Sequence, residues 1–169
     1  MHKEGKARAG FLTAWLKDAH GMENSLIPVL ENHAEDAKDH PQMQAKLQQH
    51  VETTRRHAEL VESCLERLGE SPSGIKSGMG SIFGNVQSIT TGAAEDEIVK
   101  NGLMDYASEN FEIASYKALI AAAKQAGEQE IAQVCERILR DEEDMAHFLD
   151  QNLPMLVQDA MHRKQQQRT

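Results

Sequence analysis

"ILRDEEDMAHFLDQ", residues 138–151, is written in a helical period, and one position breaks its pattern. Apolar residues recur on one face at Ile131, Cys135, Ile138, Met145 and Leu149. The turn-spaced position between Ile138 and Met145 is Glu142. A helix that buries this face buries a carboxylate with it. Ionised carboxylates are almost never fully buried unless they are paired or bound to a metal. The rest of the chain decides what Glu142 is doing there.

Three more segments carry the same period. One runs from about Gly10 to Ala37, with the stripe Leu12, Leu16, Ala19, Glu23, Leu26 and Leu30; Pro28 should kink it or remove a hydrogen bond. "KDHPQ" then reads as a turn, with Pro41 suited to the first helical position. The second segment runs from about Pro41 to Leu68, and Gly69 is its natural stop. Its stripe is Leu47, Val51, Thr54, Ala58, Val61, Leu65 and Leu68, the alternating spacing of a bundle seam. The third runs from about Glu95 to Ala126, with Tyr106, Glu109, Ile113, Tyr116 and Ile120 in line. The fourth, opened by Glu128, should stop near Asn152, ahead of Pro154.

Between the second and third segments, Glu70 to Ala94 is rich in Gly, Ser and Thr. Within it Ile75, Met79, Ile82, Phe83, Val86 and Ile89 recur at helical spacing, which predicts a short amphipathic helix inside a long crossover. Short links within each pair and a long link between the pairs predict an all-α fold. It is a ferritin-like four-helix bundle of two antiparallel hairpins joined by a long crossover containing a short extra helix. The length of 169 residues favours a single domain over 1–169, with frayed tails at 1–9 and 163–169.

Composition narrows the function. The net charge is -9 and basic residues cluster only at the two ends, which argues against nucleic acid. Aromatic residues make up 4%, too few for a base-stacking surface. No apolar run is long enough to span a bilayer, and "MHKEGKARAG" lacks the apolar core of a signal peptide, so a cytoplasmic location and no membrane partner are expected. Cys64 and Cys135 form no CxxC pair and read as buried, reduced thiols. The glycines from Gly74 to Gly84 follow no strand, so they are no phosphate loop.

The Glu142 problem repeats on the other helices. Glu23 interrupts the first stripe, Glu109 lies in the third, and on the second Thr54 is flanked by His50 and His57. Each helix thus places a polar group on its core face near mid-length. Lone buried carboxylates cost several kcal/mol each unless neutralised. A cation held by Glu23, His57, Glu109 and Glu142 would neutralise them, and carboxylate with imidazole suits iron or manganese, with zinc also fitting. Glu112, three residues after Glu109, is either a fourth carboxylate for the site or a solvated flank. His50 is a further candidate ligand, His20 a weaker one.

The motifs "LKDAHGMENSL", "HVETTRRHAELVESCLERLG", "EIVKNGL" and "FEIASYKALIAAAKQAG" resemble the YciE/YciF-type stress-associated ferritin-like family, and "LRDEEDMAHFLD" resembles the last-helix motif of bacterioferritins. The resemblance covers about Phe11 to Leu156. It implies a ferritin-like bundle with a dimetal centre and a stress role in dioxygen, peroxide or metal handling; for this chain one or two Fe or Mn ions are expected, a mononuclear or rearranged site standing level with a di-iron one. The ferritin-like ligand pattern is Glu in helix one, Glu-x-x-His in helix two, Glu in helix three and Glu-x-x-His in helix four. By this pattern Glu23, His57, Glu109 and Glu142 match. Thr54 replaces the helix-two Glu and Met145 the helix-four His, and Glu112 and His50 are the residues placed to compensate. A metal ion is the expected partner, and a homo-oligomer a further expectation. The alternative is a non-catalytic four-helix-bundle structural or interaction protein with a degenerate metal site.

Overall fold

The structure, a computed structural model, describes residues 2–71 and 96–166, with side chains from residue 9 onward. The periodic segments form four helices: α1 (His2–Asp36), α2 (Pro41–Arg67), α3 (Glu97–Ala126) and α4 (Gln129–Gln166), with no strand among the described residues. A 3-10 turn, Ala37–Asp39, carries α1 into α2, and Pro41 opens α2 where its missing N–H costs nothing. Gly127 stops α3 in the left-handed region at φ 79°; its N–H bonds Lys124 O at 3.2 Å and that of Glu128 bonds Ala123 O at 2.9 Å. Gly69, at φ 87°, closes α2 in the same way.

The helices pack as two hairpins, α1 on α2 and α3 on α4; α1 also packs on α3, and α2 meets α4 more lightly. Asn101 Nδ2 donates to Asp36 Oδ2 at 3.0 Å, so α3 begins where α1 ends. Arg67 pairs with Glu130 at 2.6 Å, so α2 ends where α4 begins. Therefore α2 finishes at the opposite end of the bundle from the start of α3, and the link between them has to return along its length. This is the reason for a long crossover. The short helix expected from Ile75 to Ile89 lies outside the described residues.

The core follows the sequence stripes. Leu12, Leu16, Leu26 and Leu30 of α1, Leu47, Val61 and Leu65 of α2, and Ile131, Cys135, Ile138, Met145 and Leu149 of α4 are all buried. On α3 the buried face is offset by one residue from the expected stripe. Glu109 and Tyr116 are buried as expected, but Asp105, Glu112 and Leu119 are buried where Tyr106, Ile113 and Ile120 were expected. The helix ends also differ. α1 is helical from His2, not from near Gly10, and α4 runs through Pro154 to Gln166. Packing holds α4 together past its proline: Leu156 has no exposed surface, and a Cβ at Gly102 would come within 3.1 Å of it. Arg163 reaches Asp39 at 3.3 Å.

Two glycines give opposite expectations. Gly127→Ala adds a Cβ that meets no atom, so its cost is the left-handed backbone alone, about 1–2 kcal/mol. Gly10 lies within α1, exposed and with nothing near its would-be Cβ, so Gly10→Ala should stabilise by up to about 1 kcal/mol. Urea unfolding of both variants checks the sign of each.

Candidate metal centre

The polar interruptions of the four stripes meet at one height in the bundle. Glu23, His57, Glu109, Glu112 and Glu142 are each at most 2% exposed, and His50 is 4% exposed. His57 Nδ1 stands 2.7 Å from Glu142 Oε1 and 3.9 Å from Glu23 Oε2. His50 Nε2 stands 3.0 Å from Glu109 Oε1 and 3.5 Å from Glu142 Oε2. Two triads result, Glu23–His57–Glu142 and His50–Glu109–Glu142, each with one ligand atom per residue within 4.8 Å of the others. Glu142 belongs to both and turns one oxygen toward each imidazole. Glu112 is buried beside them but lies outside both triads. His20 is buried and joins neither.

These atoms converge at ion-pair distances rather than in well-formed hydrogen bonds. Among the described residues, the buried side-chain N and O atoms without a hydrogen-bond partner are His20 Nδ1 and six atoms of the cluster: Glu23 Oε2, His50 Nε2, His57 Nδ1, Glu109 Oε2 and both oxygens of Glu142. His57 Nδ1 and Glu142 Oε1 meet as an ion pair at 2.7 Å, yet four buried carboxylates share the same interior. A cation would resolve that crowding, because lone pairs aimed at one interior point are what a metal requires. The donor set of carboxylates and neutral imidazoles fits a hard or borderline divalent ion.

The outer contacts prepare the ligands. Asp141 Oδ2 accepts from His57 Nε2 at 3.0 Å and also takes Arg56 Nη2 at 3.3 Å. With its Nε2 proton committed to Asp141, His57 presents Nδ1 to the interior. The Tyr116 hydroxyl donates to Glu23 Oε1, which leaves Oε2 facing His57. Sequence reasoning missed Asp141, although a carboxylate directly before Glu142 on the same helix was its signal. Tyr116 was legible as a partner of the Glu109 helix face, but its bond goes across the bundle to α1.

Metal-free, the cluster is electrostatically frustrated. Burial and then Glu142 push the Glu23 carboxyl up to about 8, against the pull of His57 and Tyr116. Burial and then Glu142 likewise raise Glu109 and Glu112 well above the usual carboxylate range. Burial alone would pull the His57 imidazole down, but Glu142, Glu23 and Asp141 outweigh it and hold it up at about 9. Burial drops His50 to about 4, so it stays neutral near pH 7 and keeps a lone pair to offer.

Comparison with known proteins shows the family and the fold. The family model described as a domain of unknown function, DUF892, matches residues 9–162. A Xanthomonas campestris protein of known crystal structure is 33% identical, with a TM-score of 0.79 over 94% of this chain and 99% of its own. The bacterioferritin of Desulfovibrio desulfuricans, whose structure describes a diiron site, is 21% identical, with a TM-score of 0.72 over 91% of this chain and 84% of its own. The E. coli stress protein YciF is 20% identical, with a TM-score of 0.71 over 89% of this chain and 97% of its own. The last two share the ferritin-like fold.

The pH dependence of the metal-free protein follows. Groups whose pKa is raised by folding contribute stability that is lost as pH climbs from the unfolded value through the folded one. Glu23 loses its contribution up to about 8 and His57 up to about 9. His50 acts oppositely, but only as pH falls from 6.5 toward about 4. The thermal midpoint of chelator-treated protein should therefore fall between pH 6.5 and 9. A rise over that window would contradict the frustrated cluster.

Proposed function

The chain belongs to the DUF892 family, the YciE/YciF-type ferritin-like family that its motifs resemble, and we propose that it binds two metal ions bridged by Glu142. The observation that carries this reading is that Glu142, with no exposed surface, turns its two oxygens to two separate buried triads. Glu23 and His57 complete one ion's side; Glu109 and His50 complete the other's. Thr54 and Met145 stand where the ferritin-like pattern has Glu and His, and neither offers an anionic or imidazole ligand. His50 makes good the second loss from α2, two turns before His57. Glu112 is the carboxylate best placed to answer the first.

Iron or manganese at such a centre supplies electrons to dioxygen or peroxide, which is the chemistry a stress-defence protein needs. The chain's own residues set the conditions. Asp141 fixes the orientation of His57, Tyr116 that of Glu23, and the buried walls keep bulk water from the ligands. A cytoplasmic setting and self-association complete the proposal. Among the described residues, no helix is long and apolar enough to cross a membrane. The rival reading, a structural module with a degenerate site, has to keep four buried carboxylates crowded around two imidazoles.

Metal should stabilise the fold. At a hundred times its dissociation constant one bound ion adds about 2.7 kcal/mol, or roughly 5–10 °C in thermal midpoint for a chain of this size. Anaerobic Fe(II) or Mn(II) should bind at about two ions per chain at pH 7 and, with both sites saturated to that degree, produce about twice that shift. Glu142→Ala should lose most of the shift, while its metal-free midpoint should equal or exceed that of the parent because like-charge crowding is relieved. An equal metal-induced shift in both proteins would remove Glu142 from the ligand set.

A further inference from the structure

Every candidate ligand is almost wholly buried, so an ion has to cross the wall of the bundle to reach it. Two openings in that wall differ in chemistry. Between α1 and α3 a groove of about 250 Å³ is lined mainly by Trp15, Ala19, Met22, Phe111 and Leu119. A hydrated cation entering there would meet one carboxylate, Asp18, the Ser115 hydroxyl and otherwise apolar surface. The Tyr116 hydroxyl already donates to Glu23 Oε1.

Between α2 and α4 lies a pocket of about 330 Å³, and its lining is polar: Gln49, Glu52, Thr53, Asp141 and Asp144 around His50. His50 belongs to the pocket and to the centre at once. It lines the pocket, and its Nε2, unpartnered and buried, faces Glu109 and Glu142. This is also the more lightly packed pair of neighbouring helices. The pocket also holds two basic side chains, outnumbered by its three carboxylates: Arg56 pairs with Asp141 at 3.3 Å, and Lys46 lies 5.6 Å from the centre of the Phe148 ring.

We infer that the α2–α4 pocket is the port through which a divalent cation reaches the centre, with Asp144, Glu52 and Asp141 at its mouth and His50 as the inner gate. The inference rests on the metal-binding reading above. On this route an ion meets the carboxylates of Asp144 and Glu52 and then the His50 imidazole. The α1–α3 groove has one carboxylate, Asp18, and no imidazole.

Uptake kinetics test it, with Co(II) as the probe and its visible absorption as the readout, in stopped flow on the full chain. Gln49→Trp should obstruct the pocket from an exposed position and slow uptake about tenfold or more without lowering the final amount bound. Asp144→Lys should slow it by a similar factor, and added salt should shrink that deficit. Ser115→Lys, in the apolar groove, should leave the rate unchanged. Parental rates in both pocket variants, or equal slowing in Ser115→Lys, would overturn the port. Failure of the parent chain to bind Co(II), Fe(II) or Mn(II) at all would overturn the metal-binding reading, and the port with it.

Discussion

Glu142 is a carboxylate placed where no solvent reaches it, and the architecture around it is arranged to make that tolerable. Burial of a charge without compensation costs several kcal/mol, a large part of a domain's stability. The chain supplies two imidazoles within 2.7 and 3.5 Å of its oxygens. Three more carboxylates, Glu23, Glu109 and Glu112, crowd the same interior and deepen the need for positive charge. Four buried carboxylates from three helices, facing two imidazoles from the fourth, are the physical argument for a cation.

The bundle topology brings the ligands to one height. Because α1 and α3 run antiparallel, as do α2 and α4, mid-length residues of all four helices meet near the centre. The distribution of ligands departs from the ferritin-like pattern in a coherent way. Both imidazoles come from α2, seven residues apart and hence on one face, while α4 contributes Glu142 alone. That leaves Met145 free to pack, with 1% of its surface exposed. It also puts one ligand of the second triad, His50, against the solvent-side pocket between α2 and α4.

Much of this was legible because a carboxylate on an apolar stripe is conspicuous. Glu23, Glu109 and Glu142 stood out for that reason, and Gly69 and Gly127 marked helix ends through their chemistry. The α3 stripe was misread by one residue because Ile113 and Ile120 are apolar and Glu112 is not. Tertiary neutralisation, which no local pattern encodes, decided which face turned inward. His50 looked like a flank because its role depends on a partner on α3. Asp141 was hidden among the charges of α4, since only the fold shows that it reaches His57. Pro154 misled in the opposite sense, because contacts of Leu156 and Arg163 carry α4 past it.

The central claim is that Glu142 bridges two ions, and anomalous X-ray scattering from crystals grown with Mn(II) tests it most directly. The account predicts two peaks per chain, one on each side of the Glu142 carboxylate. One should be ligated by Glu23 and His57 Nδ1, the other by Glu109 and His50 Nε2, at about 2.0–2.2 Å. Well-ordered, metal-soaked crystals showing no peak in the bundle interior, or peaks that Glu142 does not touch, would contradict it.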